Sequence, residues 1–478
     1  MNIFDPFFFQ ASQSPNKPAC AFPGGFVTYG ELATAASAAS ATIASAGFKR
    51  NELVAIAQDN PLFQIIIILA LGRLAIPSIT LVSRNPEHYA DLPIKGYIGE
   101  RSSDVFKSIK TLIADQNWFM VRMNANIQPS LRGFSTKPYE LARITLSSGT
   151  TGFPKAMEIT AACMEQRLSR VTINPTGQRT LTMLHLSTAW GFLIMLRTLR
   201  TGGTYCFAPL AQDVLNLCGY AGVQELWVSP GQLAELIEVQ AEKERFLTLE
   251  SVTVGGSSMP PKLLAEAYRR LCKNIVLTYG ATETGPVASA PASLLQETPG
   301  AVGKVFPWVD VEIVDDEDNP LGFNKNGIIR IKAPDCVTAY TVVDTASEGV
   351  FKDGWFYPGD LGALHPDGLL VVSGRSSEII NRGGMKIAPA VIEEQIKGHP
   401  RVDDVAVVGV NANDGSPQIW AAVVASKGFS TTELRSFCDV KLGAAAPDRF
   451  FQVEDIPRNS AGKTVSGKLR QHLQKLAK

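Results

Sequence analysis

Residues 147–155 read Ser-Ser-Gly-Thr-Thr-Gly-Phe-Pro-Lys and follow the strand-like Arg143–Leu146. Small residues let backbone amides approach phosphate oxygens closely, hydroxyls donate hydrogen bonds, and a lysine adds positive charge. Ser147, Ser148, Gly149, Thr150, Thr151, Gly152 and Lys155 therefore suit a phosphate-binding loop. The spacing is not G-x-x-x-x-G-K-[ST], and Pro154 would fit badly at the helix start of that motif. On composition alone, a flexible surface turn is the competing reading. A second candidate, Tyr279-Gly280-Ala281-Thr282-Glu283, follows the β-like Ile275–Leu277. A loop with Glu283 merely solvated is the bland reading of this segment.

Seven cysteines are scattered, with no C-x-x-C pair and an odd total. That is cytosolic usage rather than a disulfide framework or a zinc site. No cysteine sits in a motif that would activate its thiol, so thiol chemistry here would need an external nucleophile. The 45 basic and 45 acidic side chains cancel, which argues against a dominant nucleic-acid surface. The 478 residues suggest at least two domains, at about 100–200 residues each. The N-terminus lacks the basic region of a signal peptide, although Phe7-Phe8-Phe9 is an exposed-looking apolar run. Ile65 to Leu71 is far short of the roughly 20 residues needed to span a bilayer and reads as a buried helix. A soluble, cytoplasmic protein is expected.

The elements that must position these residues alternate. Thr28-x-x-Glu31 is a capping box opening a helix to Gly47, followed by a strand at Leu53–Ala57, a helix at Leu62–Leu74 and strands at Ile76–Leu81 and Ile144–Leu146. Thr180–Leu186, Tyr205–Ala208, Leu226–Val228, Val252–Val254 and Ile275–Leu277 are further β-like runs, with helices at 231–245 and 260–272 between the last three. Such alternation implies largely parallel sheets. After about residue 300, Val309–Val314, Gly327–Lys332 and Leu369–Ser373 are β-rich, and His365-Pro366-Asp367-Gly368 has hairpin-turn chemistry. A smaller α+β unit follows Gly374-Arg375, with a helix from Pro389 to Lys397, strands at Val405–Val410 and Ile419–Ala425, and a capping box at Ser430-x-x-Glu433.

The string at 147–155 closely resembles the phosphate-loop signature of the adenylate-forming superfamily: acyl- and aryl-CoA synthetases, carrier-loading adenylation domains and luciferase-like enzymes. The resemblance recurs in order over nearly the whole chain. Tyr279–Glu283 matches the family's Y-G-x-T-E segment, which implies that Tyr279 stacks near adenine, Thr282 meets the α-phosphate and Glu283 binds Mg²⁺. Gly255-Gly256-Ser257 resembles the small-residue segment along the nucleotide and acyl pocket, although a strand-end turn explains it equally well. Tyr357-Pro358-Gly359-Asp360 resembles the aspartate motif that grips the ribose hydroxyls, with Pro358 in place of the usual threonine. Arg375 matches a ribose-holding arginine, and Ser377 falls at the hinge position where Asp or Lys is usual. Gly383, Gly384 and Lys386 resemble the loop framing the thiol tunnel. Pro457-Arg458-Asn459-Ser460-Ala461-Gly462-Lys463 resembles the motif whose lysine reaches the adenylation site; a lysine there is otherwise solvated, and Lys468 is a nearby decoy.

The resemblance implies an α/β fold: a large N-terminal domain, 1–375, of mixed and parallel sheets with flanking helices and a small β-barrel-like part, then a small mobile α+β domain, 376–478. It implies ATP, Mg²⁺ and coenzyme A, or the phosphopantetheine of a carrier protein, as cofactors. The expected reaction activates a carboxylic acid as its adenylate and passes the acyl group to a thiol. Thr188, Ala189, Trp190, Gly255, Gly280 and Ala281 are the expected acyl-pocket positions. Amino-acid-activating relatives carry an aspartate where this chain has Ala189, so an acid without an α-amino group is expected. Thr188 replaces the family's frequent gating histidine, and His185 is displaced from it. An acid–CoA ligase is the first reading and a stand-alone carrier-loading enzyme the second. A nucleotide-binding member without turnover is the third, motivated by Ser377, Pro358 and Ala156. A monomer or homodimer is expected, with no nucleic-acid partner and no membrane span.

Overall fold

The computed structural model describes residues 2–81, 89, 91–147, 155–170, 177–240, 248–257, 259–298, 300–341, 349–378, 380–382, 385–411, 417–458 and 464–477. The chain packs into two compact bodies, one comprising 1–255, 259–287 and 333–354, the other 256–258, 288–332 and 355–478.

In the first body, Ile275–Ala281, Ser251–Gly255, Glu225–Val228, Arg179–Thr182, Thr204–Cys206 and Pro18–Phe22 lie side by side as parallel strands, and Gly25–Thr28 adds an antiparallel edge. A second sheet runs in the order Lys110–Ile113, Ile94–Gly99, Leu53–Ala57, Ser78–Thr80, Leu141–Ser147, Lys155–Thr160. It is parallel except for its last pair. The largest core joins residues of the helices Asp5–Gln13, Tyr29–Ser45, Pro61–Arg73 and Ala189–Arg200. Pro61–Arg73 is apolar all round, and Ile65 to Leu71 are buried, as a helix enclosed on every side requires. Among the described residues no helix is long and apolar enough to cross a membrane.

The second body begins as an antiparallel array. Gly327–Lys332 pairs with Asp310–Val314 and with Asp360–Leu364; the latter pairs with Leu369–Arg375, which pairs with Ala301–Val305. These strands form an open sheet, with no closed barrel among the described residues. After Arg375, Val402–Asn411 and Pro417–Ala425 pair antiparallel, and Arg449–Gln452 runs parallel to the latter. The period-two alternation of strands shows directly: Val405 and Val407 meet Ile392 and Leu434 on one face, while Val408 and Val410 meet Leu469 and Leu473 of Ser466–Leu476 on the other.

Most expected elements stand at or near their expected bounds, including Leu53–Ala57 and Pro389–Lys397. Four readings depart. The strand expected to reach Leu186 ends at Thr182, whose hydroxyl accepts the Leu184 amide and starts a turn. The strand from Ile275 runs on through Tyr279 and Gly280 to Ala281. Phe7 and Phe8 of the apolar run lie buried in Asp5–Gln13, leaving only Phe9 exposed, at 52%. The helix expected over 231–245 is Pro230–Val239, residues 241–247 lying outside those described.

Both halves of the Thr28 capping box form. The Thr28 hydroxyl accepts the Glu31 amide, and the Glu31 carboxylate accepts the Thr28 amide at 2.8 Å. Thr28→Ala is expected to cost about 1 kcal/mol, read as a fall of about 1–3 °C in the thermal unfolding midpoint.

Candidate active site

The phosphate-loop segment is anchored by a hairpin. Leu141–Ser147 and Lys155–Thr160 pair antiparallel, with Ser147 opposite Lys155 as the last registered pair. Ser148, Gly149, Thr150, Thr151 and Gly152 lie outside the described residues. The Lys155 ammonium sits 4.8 Å from the ring centroid of Tyr340, a cation–π arrangement.

The same tyrosine reaches the second motif. Its hydroxyl donates to Glu283 Oε1 at 2.8 Å, and Glu283 is buried. The backbone around that carboxylate is clamped by Arg167, which donates to the carbonyls of Thr282 at 3.1 Å and Glu283 at 3.0 Å. Arg167 and Arg170 are in turn paired with buried Asp335, and Val337 donates its amide to the Glu283 carbonyl. The turn is tight. A Cβ at Gly280 would collide with the Gly285 carbonyl oxygen, and Gly285 itself has φ of +66°. The Thr284 hydroxyl accepts the Ala281 amide and donates to the Gly285 carbonyl.

This arrangement fits Mg²⁺. Among the described residues no cluster of three or more His, Cys, Asp or Glu exists to cage a metal. Mg²⁺ ordinarily takes only one or two carboxylates, with phosphates and water completing its shell. Glu283 is one such carboxylate, rigidly held, with one oxygen committed to Tyr340. Arg167, Asp335 and Tyr340 are absent from the sequence reading because they belong to no local motif: 116 residues separate Arg167 from Glu283, and 57 separate Tyr340 from it.

Of the expected pocket positions, Ala189, Trp190 and Ala281 line one cavity together with Phe192, whereas Gly255 and Gly280 do not. The cavity holds about 10 Å³, room for a single water. Thr188 caps the helix Ala189–Arg200: its hydroxyl accepts the Gly191 amide and donates to the His185 carbonyl. Trp190 packs on Trp227, with centroids 5.2 Å apart. His185 Nδ1 accepts the Ser187 amide, which places the proton of a neutral ring on Nε2. Burial first and the nearby Arg143 charge second push this imidazole below its ordinary value. Gly255 ends its strand, and Gly256 follows at φ of +98°, a conformation that favours glycine. Ser257 is half-buried.

In the second body, Asp360 and Arg375 face each other across two strands and pair at 2.8 Å, with Asp360 buried. Arg375 also donates to the Pro358 carbonyl, and the Ser376 amide donates to the Gly359 carbonyl. Ser377 lies in the short turn Ser376–Glu378. Lys386 stands opposite Asn381 in a two-stranded ribbon, while Gly383 and Gly384 lie outside the described residues. Lys463 also lies outside them. The flanks of its segment are closed by an Arg458–Thr464 bridge and by the Val465 amide donating to the Pro457 carbonyl. Arg458 is fixed by Asp404 at 2.8 Å, and Lys468 is exposed on the helix that follows.

Comparison with known proteins shows the family. The family profile described as AMP-binding enzyme matches residues 99–341, half of the chain, and that of the AMP-binding enzyme C-terminal domain matches 391–463. The 4-chlorobenzoate–CoA ligase of an Arthrobacter species is 28% identical, over 98% of this chain and 95% of its own. The indoleacetate–CoA ligase of Aromatoleum aromaticum is 27% identical over 96% of each. o-Succinylbenzoate CoA synthetase (MenE) from Bacillus subtilis, solved with its acyl-adenylate intermediate OSB-AMP, shares the fold at a TM-score of 0.84 and 23% identity, over 98% of both chains. The same enzyme has been solved with ATP and a magnesium ion. With its motifs in order and its profile matched in both parts, this chain belongs to the AMP-binding enzyme family.

Proposed function

We propose that this protein is an acid–CoA ligase. A carboxylate is a poor electrophile at neutral pH. In the first half-reaction its oxygen attacks the α-phosphorus of ATP, the bond to the bridging oxygen breaks and pyrophosphate leaves. In the second, the thiolate of coenzyme A attacks the acyl carbon, AMP leaves with the electron pair, and the thioester remains. Such transfers depend on charge neutralisation and positioning more than on covalent help from the protein. The observation that carries the reading is the Glu283 carboxylate, buried, held by Tyr340 and framed by Arg167, in a chain whose full-length relatives are acid–CoA ligases.

In this reading Glu283 holds Mg²⁺, which neutralises polyphosphate charge when bound. Lys155, Thr282 and the hydroxyls and amides of residues 147–152 position the phosphates. Tyr279, Gly256 and Ser257 lie along the nucleotide, and Asp360 with Arg375 takes the ribose hydroxyls. Lys463 serves the first half-reaction; Gly383, Gly384 and Lys386 serve the second, with Ser377 at the hinge after residue 375. Ala189 and Trp190 shape the acyl pocket, and no carboxylate lines it among the described residues to balance an α-ammonium. The aromatic acids in the names of both relatives favour an aromatic acid over an aliphatic one. A carrier protein in place of coenzyme A is the second reading. We place the enzyme in the cytoplasm.

Lys463→Ala is expected to slow acid-dependent pyrophosphate exchange by about 10²–10³ while sparing thioester formation from pre-made acyl-adenylate; equal damage to both steps would overturn the division of labour. Tyr340→Phe removes a hydrogen bond to a charged group, worth about 1.5–3 kcal/mol. It should raise the Mg²⁺ concentration needed for half-maximal exchange by about tenfold or more, with an unfolding midpoint lowered by no more than about 3–6 °C. An unchanged Mg²⁺ requirement would remove Glu283 as the metal ligand.

A further inference from the structure

The cavity lined by Ala189, Trp190 and Ala281 has one wall that an apolar pocket does not need. Arg143 and Thr145 are alternate residues of Leu141–Ser147 and so share a face of that strand. Each is 1% exposed. Thr145 lines the cavity beside Phe192, and its hydroxyl has no hydrogen-bond partner among the described residues. Arg143 lies behind Phe192, its guanidinium carbon 4.3 Å from the ring centroid.

The hydrogen-bond partners of Arg143 among the described residues are all neutral. Its Nη1 donates to Ser78 Oγ at 3.2 Å, and its Nη2 donates to Thr80 Oγ1 at 2.7 Å and to the Leu186 carbonyl at 2.8 Å. Its Nε has no partner, and no carboxylate pairs with it among the described residues. Burial pushes the guanidinium down to about 9, still above neutral pH, so the charge persists. Buried charges are ordinarily paired, because an uncompensated one is costly. A strut between neutral oxygens needs donors but no charge. The other buried arginines of this body do have acids: Arg197 pairs with Glu225, and Arg167 with Asp335. The hydroxyl without a partner lines the cavity, and the guanidinium without an acid shares its strand face and packs on Phe192 of the same lining.

Resting on the reading that this cavity receives the body of the acid, we propose that the acid carries a second anionic oxygen group, most simply a carboxylate, remote from its reacting carboxyl, and that Thr145 and Arg143 recognise it. Rotation of the Phe192 ring serves both needs, enlarging a cavity too small for an acid and uncovering the guanidinium Nε. Thr145 and Arg143 are then specificity-determining residues. The positive charge also disfavours an ammonium in this pocket, in keeping with Ala189.

The test compares matched acids that differ only in the second carboxylate: benzoate against isophthalate and terephthalate, and hexanoate against adipate. Two readouts are taken, kcat/KM for acid-dependent pyrophosphate exchange and the thermal stabilisation given by each acid alone. Wild type should favour the better dicarboxylate over its partner by at least about tenfold. Thr145→Val, nearly isosteric, should shrink that ratio; Arg143→Met should abolish it, and Arg143→Lys, which keeps the charge, should retain part of it. A ratio unchanged in Thr145→Val and Arg143→Met, or a wild-type preference for the monocarboxylates, overturns the proposal. Should Arg143→Met fail to fold, Thr145→Val and Arg143→Lys decide by the same ratio. Exchange absent with every acid, but selective dicarboxylate stabilisation lost in Thr145→Val, would defeat the ligase reading and support the recognition site.

Discussion

As the proposed metal ligand, Glu283 has to be held in place without a cation of the protein bonded to its carboxylate in the contacts described, and the surrounding structure answers that constraint. A cation placed directly against the carboxylate would hold it but would also compete with a metal. The fold restrains it indirectly instead. A phenol takes one carboxylate oxygen, and the guanidinium of Arg167 grips the backbone carbonyls on either side of the peptide that leads into it. The positive charge of Arg167 is spent on Asp335 rather than on Glu283. Lys155 meets the same tyrosine from another side, its ammonium over the ring face. The result is a negative group whose direction is set while its charge stays available.

The fold was largely legible because its elements follow local rules. Thr28 and Ser430 announce helix starts through side-chain caps, and both caps form. The apolar run at Leu53–Ala57 and the alternating run around Val405 have the periods of a buried and a two-faced strand. The errors also have local causes. The run to Leu186 is apolar enough for a strand, but Thr182 diverts the backbone with its own hydroxyl. Phe7 to Phe9 look exposed only until a helix sends two of the three rings inward. The motif residues were legible as strings, yet their supports were not: Arg167, Asp335 and Tyr340 reach Glu283 from separate segments, and no spacing rule joins them.

Charge is distributed through the first body in two distinct ways. Arg197–Glu225 and Arg167–Asp335 are buried pairs, the first tying a helix to a strand and the second a helix to a turn. Such pairs are weak evidence for net stability. Arg143 breaks this pattern, because its partners are hydroxyls and a carbonyl. In the second body the Asp360–Arg375 pair spans neighbouring strands at the point where the chain leaves the antiparallel array, so the two residues steady one another before any ligand is considered.

The hairpin that ends in the Ser147–Lys155 pair also sets a limit on how this chain can vary. Strand side chains alternate between faces, so the ammonium of Lys155 meets Tyr340 only in one parity of the alignment. Losing or gaining a single amino acid between the paired arms would be absorbed either in the connecting stretch, changing its reach, or by slippage of one arm, turning the lysine to the opposite side. Length at this point therefore constrains the chain as firmly as residue type does.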